Sequence, residues 1–207
     1  MTETVSLFVY GSFTENRVHF PLIANFVKAK KPAAVEAHVF RLEVGYPVLA
    51  EPSVPVGQPT SWVRGELLEV EADAVLFRLL DEFHGYSAIA PEKSLFFKVE
   101  MPFRTEAGEL GKATCYVINP SKLPKTARWI PQGDWQAALD ERPALSEQLT
   151  EPQRSYVCKL GASTGRDIVP IDLELYRQLM KLELIVDKGR RLALTRLGKE
   201  VYRYLPK

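Results

Sequence analysis

The hydrophobic pattern of this 207-residue chain changes period over short distances. Residues 5–9 form a short apolar run of strand length, ended by Tyr10-Gly11-Ser12. Over residues 16–30, Phe20, Leu22, Ile23, Phe26 and Val27 recur at roughly helical spacing with Pro21 near the start. The pattern predicts a helix there, with Lys28, Lys30 and Lys31 at its C-terminal end, where cations suit the dipole. Residues 34–39 and 40–44 read as two strands or one bent strand, Gly45-Tyr46-Pro47 as a turn, and 48–50 as extended. The stretch 51–61 holds Pro52, Pro55, Gly57 and Pro59 and reads as a loop. Residues 62–70 alternate as a strand, and Gly65 within it predicts a bulge or a close backbone approach. Over 72–83, Val75, Leu76, Leu79, Leu80 and Phe83 have helical spacing, and Gly85 is placed to cap the helix. Residues 94–103 and 112–118 read as strands joined by a turn rich in Gly and Glu, and Asp134 as the cap of a helix over 135–140.

The last third patterns differently. Thr150, Pro152 and Gln153 open a helix in capping-box fashion, ending near Leu160, and 161–170 reads as a loop. Asp172 caps a helix over 173–184, with Leu175, Leu179, Met180 and Leu182 expected inward. Residues 185–194 form a hairpin with a Lys188-Gly189 tip, and Thr195 caps a final helix bearing Leu197, Val201, Tyr202 and Leu205. Many short strands, one central helix and few parallel crossovers indicate an α+β fold, a small mixed barrel with flanking helices followed by a smaller helix–hairpin segment. The expected division is 1–140 and 148–207.

Charge sharpens this division. The net charge is only +1, yet residues 150–207 carry 12 Lys/Arg against 7 Asp/Glu, whereas residues 1–149 carry 15 against 19. Cys115 and Cys158 lack metal-type or redox spacing and are expected as reduced packing thiols. His19 and His38 have no partners at ligand spacing, so no metal or other cofactor is expected. No apolar run reaches the roughly 20 residues of a membrane span, and the N-terminus lacks a signal-peptide pattern, so a cytoplasmic protein without membrane attachment is expected.

The candidate chemistry begins at the first turn. Glycine permits positive φ and close approach to the backbone, and consecutive N–H groups in such a turn form a concavity suited to a carboxylate. Gly11, Ser12 and Phe13 supply those groups. An ordinary tight turn has the same residues. Tyr-Gly-Ser after the first strand, Gly45-Tyr46-Pro47, Val63-Arg64-Gly65-Glu66-Leu67, Leu80-Asp81-Glu82-Phe83-His84-Gly85-Tyr86, Ala113-Thr114-Cys115-Tyr116 and Ile130-Pro131-Gln132-Gly133-Asp134-Trp135 follow in that order. This set resembles the γ-glutamylcyclotransferase-like (AIG2-like) family over about residues 5–140. The resemblance implies a compact mixed β-barrel. It also implies a γ-glutamyl or amino-acid-like small-molecule partner, whose α-amine attacks its own γ-carbonyl to release 5-oxoproline and a free amine. On this basis Gly11, Ser12 and Phe13 would hold the substrate carboxylate, and Tyr10 and Tyr116 would shape the pocket.

The family's base is a Glu just before the helix-ending Gly, and His84 stands there. A neutral imidazole can take a proton but cannot balance the substrate ammonium. Loss of a positioned base costs about 10²–10⁴ in rate. Glu82 lies about 200° around the helix from His84 and cannot substitute without unwinding. The family's Tyr-x-Arg on the next strand is here Phe96-Phe97-Lys98. The expectation is a scaffold with its fold retained and cyclisation impaired or absent.

The C-terminal helix, basic hairpin and Leu194-Thr195-x-x-Gly198 look like the end of a winged-helix domain. Arg177, Lys181, Lys188, Arg190, Arg191 and Arg196 would then be the phosphate-contacting residues. A complete winged helix needs another helix before the recognition helix, and residues 166–171 are too short and Pro-broken to supply it. A packing or homodimerising appendage is favoured over DNA binding. The three readings carried forward are an enzyme using His84, a ligand-binding member without catalysis, and a nucleic-acid or protein interaction module.

Overall fold

The computed structural model describes residues 4–163 and 168–206. The chain forms two compact units. One extends to Leu42 and resumes over Tyr46–Glu141; the other comprises Glu43–Gly45 and the chain from Arg142 onward.

The first unit is a closed five-stranded mixed barrel. Strand β1 (Thr4–Val9) lies between β4 (Ser61–Glu71) and β6 (Leu110–Ile118), and β6 pairs with β5 (Phe96–Thr105). Both β4 and β5 pair with β2 (Val27–Arg41), which closes the ring. All these pairings are antiparallel except β1 with β6, which meet in parallel at Leu7 and Thr114. At 15 residues, β2 serves more than the barrel. Ala33–Val35 contacts β5, while His38–Arg41 continues outward to pair with β3 (Pro47–Ala50), and Phe40 and Arg41 also with β7 (Arg128–Trp129).

One buried cluster joins Leu7 and Val9 of β1, Leu68 and Val70 of β4, and Tyr116 and Ile118 of β6 to Leu76 and Leu80 of α2 (Ala74–His84). Each such large apolar side chain stabilises the fold by about 1.5–3 kcal/mol. Helix α2 begins where Asp73 accepts from the Val75 N–H at 2.5 Å. It ends at Gly85, whose φ is +59°; Gly85 N–H donates to Glu82 O at 3.2 Å and Tyr86 N–H to Asp81 O at 2.8 Å. This termination folds the chain back so that Tyr86 returns towards the helix. Gly65 is a close approach, with no break in strand pairing: a Cβ there would lie 2.4 Å from Val9 O. Helix α3 (Trp135–Glu141) starts where Asp134 accepts from Ala137 N–H, as its sequence indicates.

The region 16–30 departs from its helical expectation. Only α1 (Phe20–Ile23) and a 3-10 turn over Ala24–Phe26 form, and the chain enters β2 at Val27. Pairing of β2 with β4 from Val27 to Ala37 satisfies a run of backbone groups that a marginal helix would have to satisfy alone. The three lysines therefore do not follow a helix end. Lys28 pairs with Glu71, Lys30 with Glu15 and Lys31 with Glu109.

The C-terminal unit contains α4 (Leu145–Gln148), α5 (Glu151–Ala162), α6 (Leu173–Lys181), the hairpin β8 (Ile185–Asp187) and β9 (Leu192–Leu194), and α7 (Arg196–Arg203). The Thr150–Gln153 capping box opens α5, Asp172 accepts from Leu175 N–H at 2.9 Å, and Thr195 accepts from Gly198 N–H at 2.9 Å. Helices α5 and α7 meet closely, since a Cβ on Gly161 would be 2.6 Å from the Tyr202 ring. Helix α6 stops at Lys181 and not at Leu184, because Glu183 adopts φ +58°. Met180, expected inward, is exposed; its neighbour Leu179 takes the buried position. Residues 164–167 of the expected 161–170 loop lie outside the described residues, while Gly161 and Ala162 complete α5. Neither Cys115 nor Cys158 is in a disulfide among the described residues.

Candidate functional site

The strand β1 delivers the chain into a buried 3-10 turn over Gly11–Phe13. Tyr10 is still extended, and the reversal is made by Gly11 at φ +60°. A Cβ on Gly11 would lie 3.1 Å from Pro47 Cγ, so the Pro47 ring presses against this turn. The N–H groups at the start of a 3-10 turn have no acceptor within it. The carbonyls are engaged: Ser12 O accepts from His19 N–H at 2.9 Å, and Gly11 O accepts from the Thr14 hydroxyl at 2.9 Å. The Tyr10 hydroxyl donates to Tyr116 O at 2.9 Å and accepts from Leu49 N–H at 3.3 Å. It thereby ties β6 to β3 behind the turn.

The C-terminal end of α2 meets this turn through aromatic rings. His84 is buried, and its ring lies parallel to Tyr116 at 4.1 Å and 10°, and near Phe13 at 5.5 Å and 27°. Phe96 packs edge-on at 5.2 Å. His84 Nδ1 lies 2.8 Å from Leu80 O. A carbonyl only accepts, so Nδ1 carries a proton, and in the neutral ring the lone pair is on Nε2.

One helical turn before His84, Asp81 accepts a short hydrogen bond from the Tyr116 hydroxyl and lies 3.3 Å from Lys98 Nζ. Burial first, and then the Asp81 carboxylate, hold the Tyr116 phenol protonated far above the usual tyrosine range. Lys98 is directly opposite Tyr116 in the β5–β6 register, which explains why both reach Asp81. Its Nζ is 4.2 Å from the Phe77 ring centroid and 5.9 Å from those of Tyr86 and Tyr116.

The structure thus gathers Tyr10, Gly11, Ser12, Phe13, His84 and Tyr116 into one neighbourhood. It adds Asp81, Lys98, Phe77 and Tyr86, which sequence reasoning missed. On the strand where the family resemblance calls for Tyr-x-Arg, Lys98 brings a cation to this cluster. A signal was present: Phe77, Asp81 and His84 share one helix face by their i, i+4 and i+3 spacing. Glu82 is exposed, and Glu66 accepts from Glu15 N–H at 3.0 Å. Arg177, Lys181, Lys188, Arg190 and Arg191 belong to the C-terminal unit, are exposed, and form no ion pair among the described residues, whereas Arg196 of the same unit pairs with Glu43 at 2.6 Å and Glu200 at 2.7 Å. Among the described residues, no group of three or more His, Cys, Asp or Glu is arranged to hold a metal, and no helix is long and apolar enough to cross a membrane.

Comparison with known proteins bears on the barrel. No curated protein sequence matches the chain. Among solved structures, YkqA from Bacillus subtilis is similar at 20% identity and a TM-score of 0.48, covering 66% of this chain and 41% of its own, so this chain spans under half of that protein's length. An AIG2-like protein from Mus musculus is similar at 19% identity and a TM-score of 0.43, over 58% of this chain and 83% of that one. A solution structure of At3g28950.1 from Arabidopsis thaliana is similar at 16% identity and a TM-score of 0.46, over 84% of this chain and 95% of that one. The sequence model of the family described as gamma-glutamyl cyclotransferase, AIG2-like, matches residues 7–137, well over half of the chain. The chain with the buried Gly11–Phe13 turn and the His84–Tyr116 stack is therefore a member of the gamma-glutamyl cyclotransferase, AIG2-like family.

Proposed function

We propose that this protein binds a γ-glutamyl or similar amino-acid-like small molecule at the Gly11–Phe13 turn and does not cyclise it by the family reaction. The observation that carries this reading is the state of His84. At the position where the family resemblance calls for a Glu, the imidazole is buried against Phe13, Phe96 and Tyr116, with its Nδ1–H given to Leu80 O. Cyclisation needs the α-ammonium to lose a proton to a base that also offsets its charge. A carboxylate does both, and an imidazole supplies no negative charge. The α-carboxylate would lie against the amides of the Gly11–Phe13 turn, with Tyr10 and Tyr116 holding the walls.

The test is release of amine and 5-oxoproline from a panel of γ-glutamyl compounds, alongside calorimetric titration of the same compounds. Expected are saturable binding without turnover by the wild type, and turnover gained in His84→Glu. Turnover by the wild type that disappears in His84→Ala would overturn the proposal and make His84 the base.

For the C-terminal unit, the succession α6, hairpin, α7 supports a winged-helix-like reading over residues 148–207, as an appendage for packing or homodimer formation. A dimer in sedimentation that Arg190→Ala/Arg191→Ala leaves intact is expected. Steeply salt-dependent DNA binding lost in that double variant would replace this reading.

A further inference from the structure

We infer that Asp81, Phe77, Tyr86 and Tyr116 form a recognition site for a primary alkylammonium, which the protein's own Lys98 fills until such a ligand displaces it. The Lys98 Nζ lies 3.3 Å from the Asp81 carboxylate and within 6 Å of three aromatic ring centroids, Phe77 at 4.2 Å and Tyr86 and Tyr116 each at 5.9 Å. One carboxylate with several ring faces is the chemistry that selects an organic cation: the carboxylate accepts N–H bonds and the ring quadrupoles attract the charge.

The parts are fixed independently of Lys98. Phe77 and Asp81 are one turn apart on α2, the Gly85 termination folds Tyr86 back onto the helix end, and the Tyr116 hydroxyl is donated to Asp81. Lys98, by contrast, reaches in from β5 on a four-carbon flexible stem, and both its side chain and that of Asp81 are about a quarter exposed at 26% and 27%. The group it inserts is a primary ammonium on an alkyl chain, identical in its recognised atoms to the end of an alkylamine ligand. A lysine is a compact point charge with rotatable donors, so it can withdraw into water at small cost, which a planar, forked guanidinium in the same place would not do as simply. With Lys98 in place most of the time, the apparent affinity for an added ammonium is reduced by the fraction of time the site stands open. This inference does not rest on the γ-glutamyl reading, since it needs neither a carboxylate nor a γ-amide in the ligand.

The test uses propylammonium, with propanol as control, titrated into the full-length protein and followed by the ring proton resonances of Tyr86 and Tyr116. Lys98→Met keeps the length of the stem and removes the charge. It is expected to bind propylammonium at least about tenfold more tightly than the wild type, and Asp81→Asn added to Lys98→Met is expected to abolish that binding. Equal affinity in wild type and Lys98→Met, or binding to Lys98→Met that survives Asp81→Asn, overturns the inference. Should Lys98→Met fold poorly for want of a partner for Asp81, the readout becomes its thermal unfolding. A rise in Tm with propylammonium and not with propanol supports the site, and equal behaviour in the two overturns it.

Discussion

The barrel and the C-terminal unit each place a glycine of positive φ in a turn beside candidate binding residues, and the two turns are built in opposite ways. Gly11, at φ +60°, is buried, faces Pro47, and follows a tyrosine whose hydroxyl bridges two strands. Gly189, at φ +83°, sits at the exposed tip of the β8–β9 hairpin with nothing within 4 Å of where a Cβ would be. Its only constraint of note is local, the N–H donated to Asp187 at 2.7 Å. A turn held by packing from several strands keeps its backbone donors in one geometry, as a binding site requires. A turn that answers only to its own hairpin reverses the chain and presents whatever side chains surround it.

Substitutions at glycine grade this difference. The largest effects are expected where backbone passes over glycine in either unit. Gly65→Ala would set a methyl 2.4 Å from Val9 O, and Gly198→Ala one 2.0 Å from Leu184 O. Each is expected to destabilise its unit by about 3 kcal/mol or more in urea denaturation. Wild-type-like midpoints would mean that neither approach is as tight as described. Gly11→Ala comes next, at about 1–2 kcal/mol for the left-handed backbone and the Pro47 contact together. Because the turn is the proposed carboxylate cradle, ligand affinity in calorimetry is expected to fall with it; unchanged affinity would remove the turn from the site.

A further effect separates the barrel site from its surface in alkali. Burial and Asp81 keep the Tyr116 phenol protonated in the folded state, whereas in the unfolded chain it ionises near its ordinary value. The unfolded state then binds fewer protons, so stability is expected to fall as pH rises above about 10, and less steeply in Tyr116→Phe. Urea midpoints measured on both sides of that pH check the sign. Burial raises the Tyr204 phenol in the C-terminal unit too, so part of the slope is expected to persist in Tyr116→Phe. The smallest change is expected for Gly189→Ala, about 1 kcal/mol or less, because only backbone strain opposes it. A larger loss there would show that the hairpin tip is as constrained as the barrel turn.

Much of this architecture is legible in residues that act locally. Asp134, Thr150, Asp172 and Thr195 cap helices where their spacing indicates, and Gly85 ends α2. Strands β1, β4 and β6 follow their apolar runs and alternation to within a residue or two. Residues 16–30 depart from their helical spacing because that spacing competes with ladder partners far away in sequence. The site was half legible. The Tyr10–Phe13 turn and His84 stand out by motif, but Asp81 and Lys98 are 17 positions apart, and neither has local neighbours that announce the other.

What the sequence determined by itself were the properties set within a few residues: where helices start and stop, which turn requires positive φ, which residue stands before Gly85, and how basic the last quarter is. Tertiary structure alone decided that Val27–Arg41 is one long strand shared by the barrel and two further strands, that His84 lies flat on Tyr116, and that Lys98 enters a cage of Asp81 and three rings. The reason is the range of the forces. Capping and turn preferences act within one backbone turn, whereas ring stacking, ion pairing and ladder hydrogen bonds depend on closure of the barrel, which brings β5, β6 and the end of α2 together.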